Sequence, residues 1–262
     1  MSEIKYTISV QPTKDGSTTL YSSRFGQHYH NPNGAVAESR HVFFDTPGIP
    51  DAINRQTKLN IFETGFGTGL SLLLLMQYLN QSINKPIVTL FSVEAFPIDA
   101  AMVKSFDFGD NPGLNQSKEL LAEIFQNLKP GLNHFQISEN LTLKLYSGLF
   151  DNLFENESIQ EKFHFFFHDP FSPEANPDLW TPEVFKKLAS VSHHDAILST
   201  YCAASAARAA MAVSGWHLAK AQGALGKREM TVASINPEKL APFKRINEKR
   251  LIERFKRGDF AK

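Results

Sequence analysis

The stretch Asn60-Ile61-Phe62-Glu63-Thr64-Gly65-Phe66-Gly67-Thr68-Gly69-Leu70 decides the fold. It reads as a buried strand, a glycine-rich turn and the start of a helix that continues through an apolar run to Leu79. Gly65, Gly67 and Gly69 allow a sharp turn and a close approach of ligand to backbone, because no Cβ intervenes. The G-x-G-x-G spacing is shorter than the dinucleotide fingerprint G-x-G-x-x-G, and the Lys-Ser/Thr of a phosphate-cradling loop is missing. Glu63, just ahead of the turn, would repel a polyphosphate. It suits a ligand that carries cations, such as the sulfonium and α-amino groups of S-adenosylmethionine. The plain alternative is an ordinary glycine-rich turn between a strand and a helix.

Working outward, strands and helices alternate. Strands are expected at 59–64, 87–94, 141–146, 163–168 and 195–201, and helices at 69–79, 97–106, 117–127, from Thr181 onward and at 203–213. Residues 216–222 and 228–235 read as a terminal antiparallel pair, and the Gly/Asn/Pro-rich 108–116 as a surface loop. Apolar strands alternating with helices predict an α/β fold with a doubly wound, mostly parallel sheet. Residues 1–50 read as a small β extension, with Thr18–Tyr21 strand-like, a turn at Asn31-Pro32-Asn33-Gly34 and a β-prone run at His41–Phe44. The catalytic domain is then expected at 51–235 and a basic tail at 236–262.

In an open α/β sheet, ligands lie beyond the carboxyl ends of the strands. That rule selects Glu63 and Gly65–Gly69 after the first strand and Glu94 at the end of the second, where a carboxylate can accept hydrogen bonds from both ribose hydroxyls. It also selects Ser147-Gly148 after the third strand and Asp169 after the fourth. Asp169 opens a stiff segment, Asp169-Pro170-Phe171-Ser172-Pro173, that continues through Asn176-Pro177-Asp178-Leu179-Trp180. A carboxylate there can take a proton from an amine, and Phe171 and Trp180 can stack on a base or line a pocket. A turn aspartate among core aromatics is the plain alternative.

Composition narrows the class. The 262 residues are 42% hydrophobic and 21% charged with zero net charge, as in a soluble globular protein. Residues 236–262 carry nine Lys/Arg against four Asp/Glu, so a basic tail follows a mildly acidic body. Such a tail suits a polyanion or a solvated helix face. The single cysteine, Cys202, excludes an intramolecular disulfide and a multi-cysteine zinc site. His28, His30 and His41 lack carboxylates at convincing ligand spacing, so no metal is expected. The polar N-terminus and the lack of a long apolar run point to the cytoplasm.

Four blocks carry a resemblance to a known family. Tyr29–Phe43 holds Glu38-Ser39-Arg40-x-Val42-Phe43, Glu63–Leu70 holds the glycine turn, Asp169–Trp180 reads DPFSPEANPDLW, and Gly226-Lys227-Arg228-Glu229-Met230 closes the set. In this order they resemble the methyltransferase domain of the MnmC family, which forms 5-methylaminomethyl-2-thiouridine in tRNA. The resemblance implies a class I S-adenosylmethionine-dependent methyltransferase with a Rossmann-like seven-stranded sheet closed by an antiparallel hairpin. It implies N-methylation of 5-aminomethyl(-2-thio)uridine at the tRNA wobble position, without metal or FAD. The fused FAD-dependent oxidase of many family members is not expected here, so a separate enzyme would supply the aminomethyl substrate.

The cofactor residues implied are Glu63, Gly65, Phe66, Gly67, Thr68, Gly69, Glu94, Gly148 and Asp169. Asp169 is also implied as catalytic, and Tyr29, Glu38, Arg40, Phe171, Trp180, Lys227 and Arg228 as substrate-binding. Lys220, Lys244, Arg245, Lys249 and Arg250 are candidates for phosphate contacts. Where the family has Asp after Gly148, this chain has Leu149, with Asp151 as a substitute contact for adenine, and Ser71 replaces an Asn. The residues themselves also leave open a methyltransferase of a small amine or other metabolite and a catalytically inactive cofactor- or RNA-binding protein. A nicotinamide oxidoreductase would need G-x-G-x-x-G.

Overall fold

In the computed structural model, which describes residues 6–260, the apolar runs become strands of one large sheet. Three short strands precede it, β1 (Ile8–Pro12), β2 (Thr18–Ser22) and β3 (Gln27–His28), and form their own antiparallel sheet. Helix α1 (Ala35–Ser39), a π-helical turn at Arg40–Asp45 and α2 (Ile49–Arg55) lead into the main alternation. It runs through β4 (Lys58–Thr64), α3 (Leu70–Gln81), β5 (Ile87–Glu94), α4 (Ala100–Val103), α5 (Pro112–Gln116) and α6 (Lys118–Asn127). The hairpin β6 (Gly131–Ser138) and β7 (Leu141–Ser147), then α7 (Phe150–Asn156), β8 (Phe163–His168) and α8 (Pro182–Ser190) follow. The chain continues with β9 (Ser192–Thr200), α9 (Ser205–Val213), β10 (His217–Ala221), β11 (Met230–Ser234), β12 (Lys244–Arg245) and α10 (Glu248–Lys256).

The sheet order is β12-β10-β11-β9-β8-β4-β5-β7-β6. β4 pairs in parallel with β5 and β8, and β5–β7 and β8–β9 are also parallel. β11 runs antiparallel between β9 and β10, which makes the expected terminal pair. The seven expected strands are therefore the centre of a nine-stranded sheet, extended at its edges by β6 and β12.

Successive residues of a strand face opposite sides, and β4 uses this to join two cores. Ile61 packs with the leucines of α3, while Phe62 packs with Phe91, Phe163, Phe166 and the helices of the other face. Both residues are fully buried, as expected for a central parallel strand. α8 begins where Thr181 accepts a hydrogen bond from Val184 N–H at 3.4 Å and Pro182 occupies the first turn.

Some local expectations fail for identifiable reasons. His41–Phe44 is helical, because the short apolar run buries Val42, Phe43 and Phe44, with Phe43 and Phe44 against Phe167; periodicity cannot separate such a run from a strand. The helix expected at 97–106 is one turn, opened at Asp99, whose side chain accepts from Ala101 N–H at 2.8 Å. The 108–116 segment contains α5. The 236–262 tail contributes β12 and α10, whose Leu251 is buried on the main domain.

Candidate functional site

The carboxyl ends of β4, β5, β7, β8 and β9 converge on one cavity of about 470 Å³, within the usual range for small-molecule sites. The order reverses at β4, with β5 on one side and β8 on the other, and ligand crevices open at such a switch point. The opposite wall is the N-terminal segment from Phe25 to Asn33, folded over the strand ends.

The glycine turn is held by the strand ends around it. Gly65 and Phe66 donate their N–H groups to Val93 O, at 3.0 and 3.3 Å. Glu94 fixes the next step: its Oε2 accepts from Gly67 N–H at 2.9 Å and its Oε1 from Phe96 N–H at 2.8 Å. Each carboxylate oxygen retains acceptor capacity for a second donor. Glu63 lies beneath the turn and accepts from Ser92 Oγ–H at 2.7 Å. Burial pushes its carboxyl up to about 7, with hydrogen bonds from Ser92 and Ser71 opposing the rise and Glu94 adding to it.

Asp169 leaves β8 with its N–H donating to Thr64 O at 3.0 Å. Burial raises its carboxyl well above the usual range; Glu38 and Glu63 add to the rise and Lys227 opposes it. No described side chain or backbone group hydrogen-bonds that carboxyl. It lines the cavity as an acceptor available to a ligand. Glu38 is tied down instead, accepting from Asn31 N–H at 2.9 Å and from Lys227 Nζ at 2.7 Å. Lys227 Nζ also lies 5.1 Å from the centre of the Tyr201 ring, and Tyr201 O–H donates to Pro170 O at 2.8 Å.

Of the residues named from sequence, Tyr29, Glu38, Glu63, Gly65, Phe66, Gly67, Glu94, Gly148, Asp169, Phe171 and Lys227 line this cavity. Others lie elsewhere. Trp180 is 5% exposed and packs on His168, while its Nε1–H donates to Phe171 O at 2.8 Å, so it braces the loop from behind. Arg40 turns away to donate to Gln77 Oε1 and Asn111 Oδ1, at 2.7 and 2.9 Å. Thr68 lies below the cavity, bonded through Oγ1 to His30 Nε2 at 2.9 Å, and Gly69 caps α3. Arg228 is exposed outside the cavity. Asp151 pairs with Lys187 at 2.6 Å and Leu149 is 53% exposed; neither lines the cavity, whereas Gly148 and Phe150 do.

The three N-terminal histidines bond to different partners: His28 to Gln11, His30 to Thr68 and His41 to Gln222 O. Lys220 pairs with Glu229 and Arg245 with Glu248. Three wall residues are not among the site residues read from the sequence. Gln27 donates from Nε2 to Ser172 Oγ at 2.7 Å and accepts from Ser172 N–H at 3.1 Å, clamping the N-terminal segment to the loop after β8. Phe25 stacks on Phe171 with centroids 4.3 Å apart. Tyr201 follows β9, so the strand-end rule itself would have found it.

An acidic cavity in which a carboxyl that no described group hydrogen-bonds stands beside a glycine turn suits a cationic ligand and a proton-bearing nucleophile. A family model for S-adenosyl-L-methionine-dependent methyltransferases matches residues 112–236. The chain belongs to the S-adenosyl-L-methionine-dependent methyltransferases. Within them it matches the methyltransferase part of the MnmC family. It is 34% identical over 221 residues to the tRNA 5-methylaminomethyl-2-thiouridine biosynthesis bifunctional protein MnmC of Delftia acidovorans, covering 84% of this chain and 34% of that protein. The corresponding protein of Ralstonia nicotianae is 33% identical, over 87% of this chain and 34% of its own. The chain thus spans about a third of the length of these curated relatives. The crystal structure of MnmC2 from Aquifex aeolicus superposes with a TM-score of 0.76 at 23% identity, over 96% of this chain and 76% of that one, and shows the same fold. No helix among the described residues is long and apolar enough to cross a membrane.

The cavity fits the cofactor of this family. A Cβ on Gly65 would stand 3.0 Å from Asp169 O, so the cradle exists only with glycine there. Glu63 and Glu94 line it with acceptors of the kind that an α-amino group and ribose hydroxyls would require.

Proposed function

We propose that this chain methylates the primary amine of 5-aminomethyl(-2-thio)uridine at the wobble position of tRNA, giving 5-methylaminomethyl(-2-thio)uridine, in the cytoplasm. Residues 51–235 form the catalytic unit, 1–50 its extension, and a separate enzyme supplies the aminomethyl group. The observation that carries the proposal is the Asp169 carboxyl, unbonded within the protein and placed in the same cavity as the glycine turn. The match to MnmC proteins supplies the substrate class.

S-adenosylmethionine supplies an electrophilic methyl group on a sulfonium. The protein's own part is to hold the partners in line and to manage a proton. Glu63, Gly65–Gly67, Glu94 and Gly148 hold the cofactor, while Tyr29, Phe171 and Glu38 line the side where the base enters. The amine arrives mostly as an ammonium, and Asp169 accepts its proton directly or through a water, freeing the nitrogen lone pair. A carboxyl raised by burial is a stronger base at neutral pH than an exposed one. Alignment contributes most, because methyl transfer from a sulfonium is intrinsically favourable. Lys220, Lys227, Arg228, Lys244, Arg245, Lys249 and Arg250 are the candidates for tRNA phosphate contacts, and binding should weaken with salt.

The test is transfer of labelled methyl to tRNA bearing 5-aminomethyl-2-thiouridine, followed by mass analysis of its nucleosides. The expected product carries one extra methyl on the base amine. Transfer to small amines with none to that tRNA would overturn the proposal.

Glu63 gives a second expected result. Between the ordinary 4.5 and about 7, its folded, ligand-free form holds a proton that the unfolded chain has released. Stability of the ligand-free protein therefore falls as pH rises through that window, and the loss is complete above it. A cation placed against Glu63 favours the ionised form, so cofactor binding expels the proton. Affinity for S-adenosylmethionine should rise by up to about tenfold per pH unit below about pH 7 and then level off. Titration calorimetry across this range checks it, with Glu63→Gln expected to flatten the dependence. A flat profile in the unmodified protein would refute the assignment.

A further inference from the structure

An array of rings and one guanidinium lies at the rim of the cavity, and its outer members, Tyr6 and Arg24, lie outside the residues used above. Arg24 Cζ stands 3.8 Å from the centre of the Phe96 ring, 5.1 Å from that of Tyr6 and 5.9 Å from that of Phe25. Arg24 is exposed, and Tyr6 is 51% exposed, so the outer end of the array is open to solvent. No described carboxylate pairs with Arg24.

The array continues inward without a break. Phe96 and Phe25 have centroids 5.8 Å apart, Phe25 stacks on Phe171 at 4.3 Å and 23°, and Phe171 meets the edge of Tyr29 at 5.1 Å. Tyr29 in turn touches the glycine turn, since a Cβ on Gly67 would lie 3.4 Å from its ring. Aromatic faces therefore run from the surface at Tyr6 to the reaction centre. Glu94, which holds Gly67, holds the Phe96 backbone too, so the ledge is fixed to the cofactor cradle.

An arginine lying flat on one ring is ordinary packing that hides apolar surface. Two features exceed that. The Tyr6 ring remains half open although a guanidinium lies against it. The run also leads from the rim into a cavity whose substrate, on the reading above, is one nucleotide of an RNA strand. A strand with one base in the cavity must place its neighbour at the rim. Arginine between rings offers a flat cation to a base and keeps its N–H edges for a phosphate.

We propose that Tyr6, Arg24 and Phe96 form a stacking ledge for the unpaired nucleobase next to the target nucleotide, with the Arg24 edge meeting its phosphate. This rests on the RNA substrate proposed above. Stacking accepts any base, so the ledge supplies affinity and direction of entry without sequence choice.

The test is fluorescence anisotropy with an RNA hairpin whose unpaired loop carries an unmodified uridine, so that no turnover intervenes. Tyr6→Ala and Arg24→Ala should each weaken binding by about 5–100-fold. Arg24→Lys should weaken it nearly as much, because it keeps the charge and loses the plane. Both residues are exposed, so thermal unfolding should remain that of the unmodified protein. An abasic nucleotide beside the target should shrink the difference between unmodified protein and Arg24→Ala to what the phosphate contact supplies. Binding within twofold for both alanine variants, or full rescue by lysine, would overturn the ledge. If the hairpin binds through Arg24 but no aminomethyluridine RNA is ever methylated, the proposed activity fails and the ledge stands. Normal methylation with unaffected ledge variants removes the ledge alone.

Discussion

Asp169→Asn is expected to keep cofactor affinity within a few-fold and to lose methyl transfer by about 10²–10⁴-fold, the usual contribution of a positioned general base. The substitution preserves volume and shape, and the backbone N–H that donates to Thr64 O is untouched. What disappears is the acceptor that can carry a proton away. Because burial, Glu38 and Glu63 raise the Asp169 carboxyl, it is protonated at low pH and ionises late. Turnover in the unmodified protein should therefore rise with pH as this group ionises, whereas the residual rate of Asp169→Asn should lack that rise. Single-turnover transfer with labelled cofactor, read against pH, separates the two. Near-normal turnover at unchanged binding would remove Asp169 from the chemistry and leave it as a turn residue.

Gly65→Ala should be the most damaging change in the cradle. Its φ of +94° is one that side chains rarely adopt, and the new Cβ would meet Asp169 O at 3.0 Å and Asp169 C at 3.4 Å. Those atoms are backbone at the end of a buried strand, so they cannot swing aside as a lysine tip would. The conformational part alone costs about 1–3 kcal/mol. Gly215→Ala is the control: its φ is +90°, yet nothing lies within 4 Å of the added carbon. Both variants should lose stability by the backbone amount in chemical denaturation. Only Gly65→Ala should lose more, together with at least tenfold in S-adenosylmethionine affinity, since it pushes Asp169 off its strand end. Equal losses in the two variants would show that the contact relaxes freely.

The two positions differ in how they could be seen beforehand. β5 and β8 were legible to the residue, because Ile87–Glu94 and Phe163–His168 are predominantly apolar, β-prone runs ended by polar groups. Strand ends then pointed to Glu63, Glu94, Gly148 and Asp169 without any contact information. β6 escaped because its residues alternate between partly buried and exposed on an edge, with Asn133, His134 and Gln136 interrupting the apolar pattern. β12 is two residues long and exists only through its pairing with β10. The wall from Phe25 to Asn33 showed only Tyr29, two histidines and a turn in the sequence, because its position over the cavity depends on contacts made far away in sequence. Trp180 failed for the opposite reason. An aromatic in a proline-rich loop looks like a ligand platform, yet its indole N–H was needed to hold Phe171 O.

The Gln27–Ser172 clamp has a consequence for the order in which the molecule is completed. Its two partners are 145 residues apart, and the Glu38–Lys227 pair spans 189. The roof is therefore synthesised well before its anchors. A growing chain has nothing to close against until the strand carrying Phe163–His168 and the turn holding Lys227 have both emerged. Long closures of this kind form late, after local contacts have been made. The cavity is thus a finishing feature of folding, and its ligand can reward only molecules in which both closures have been made.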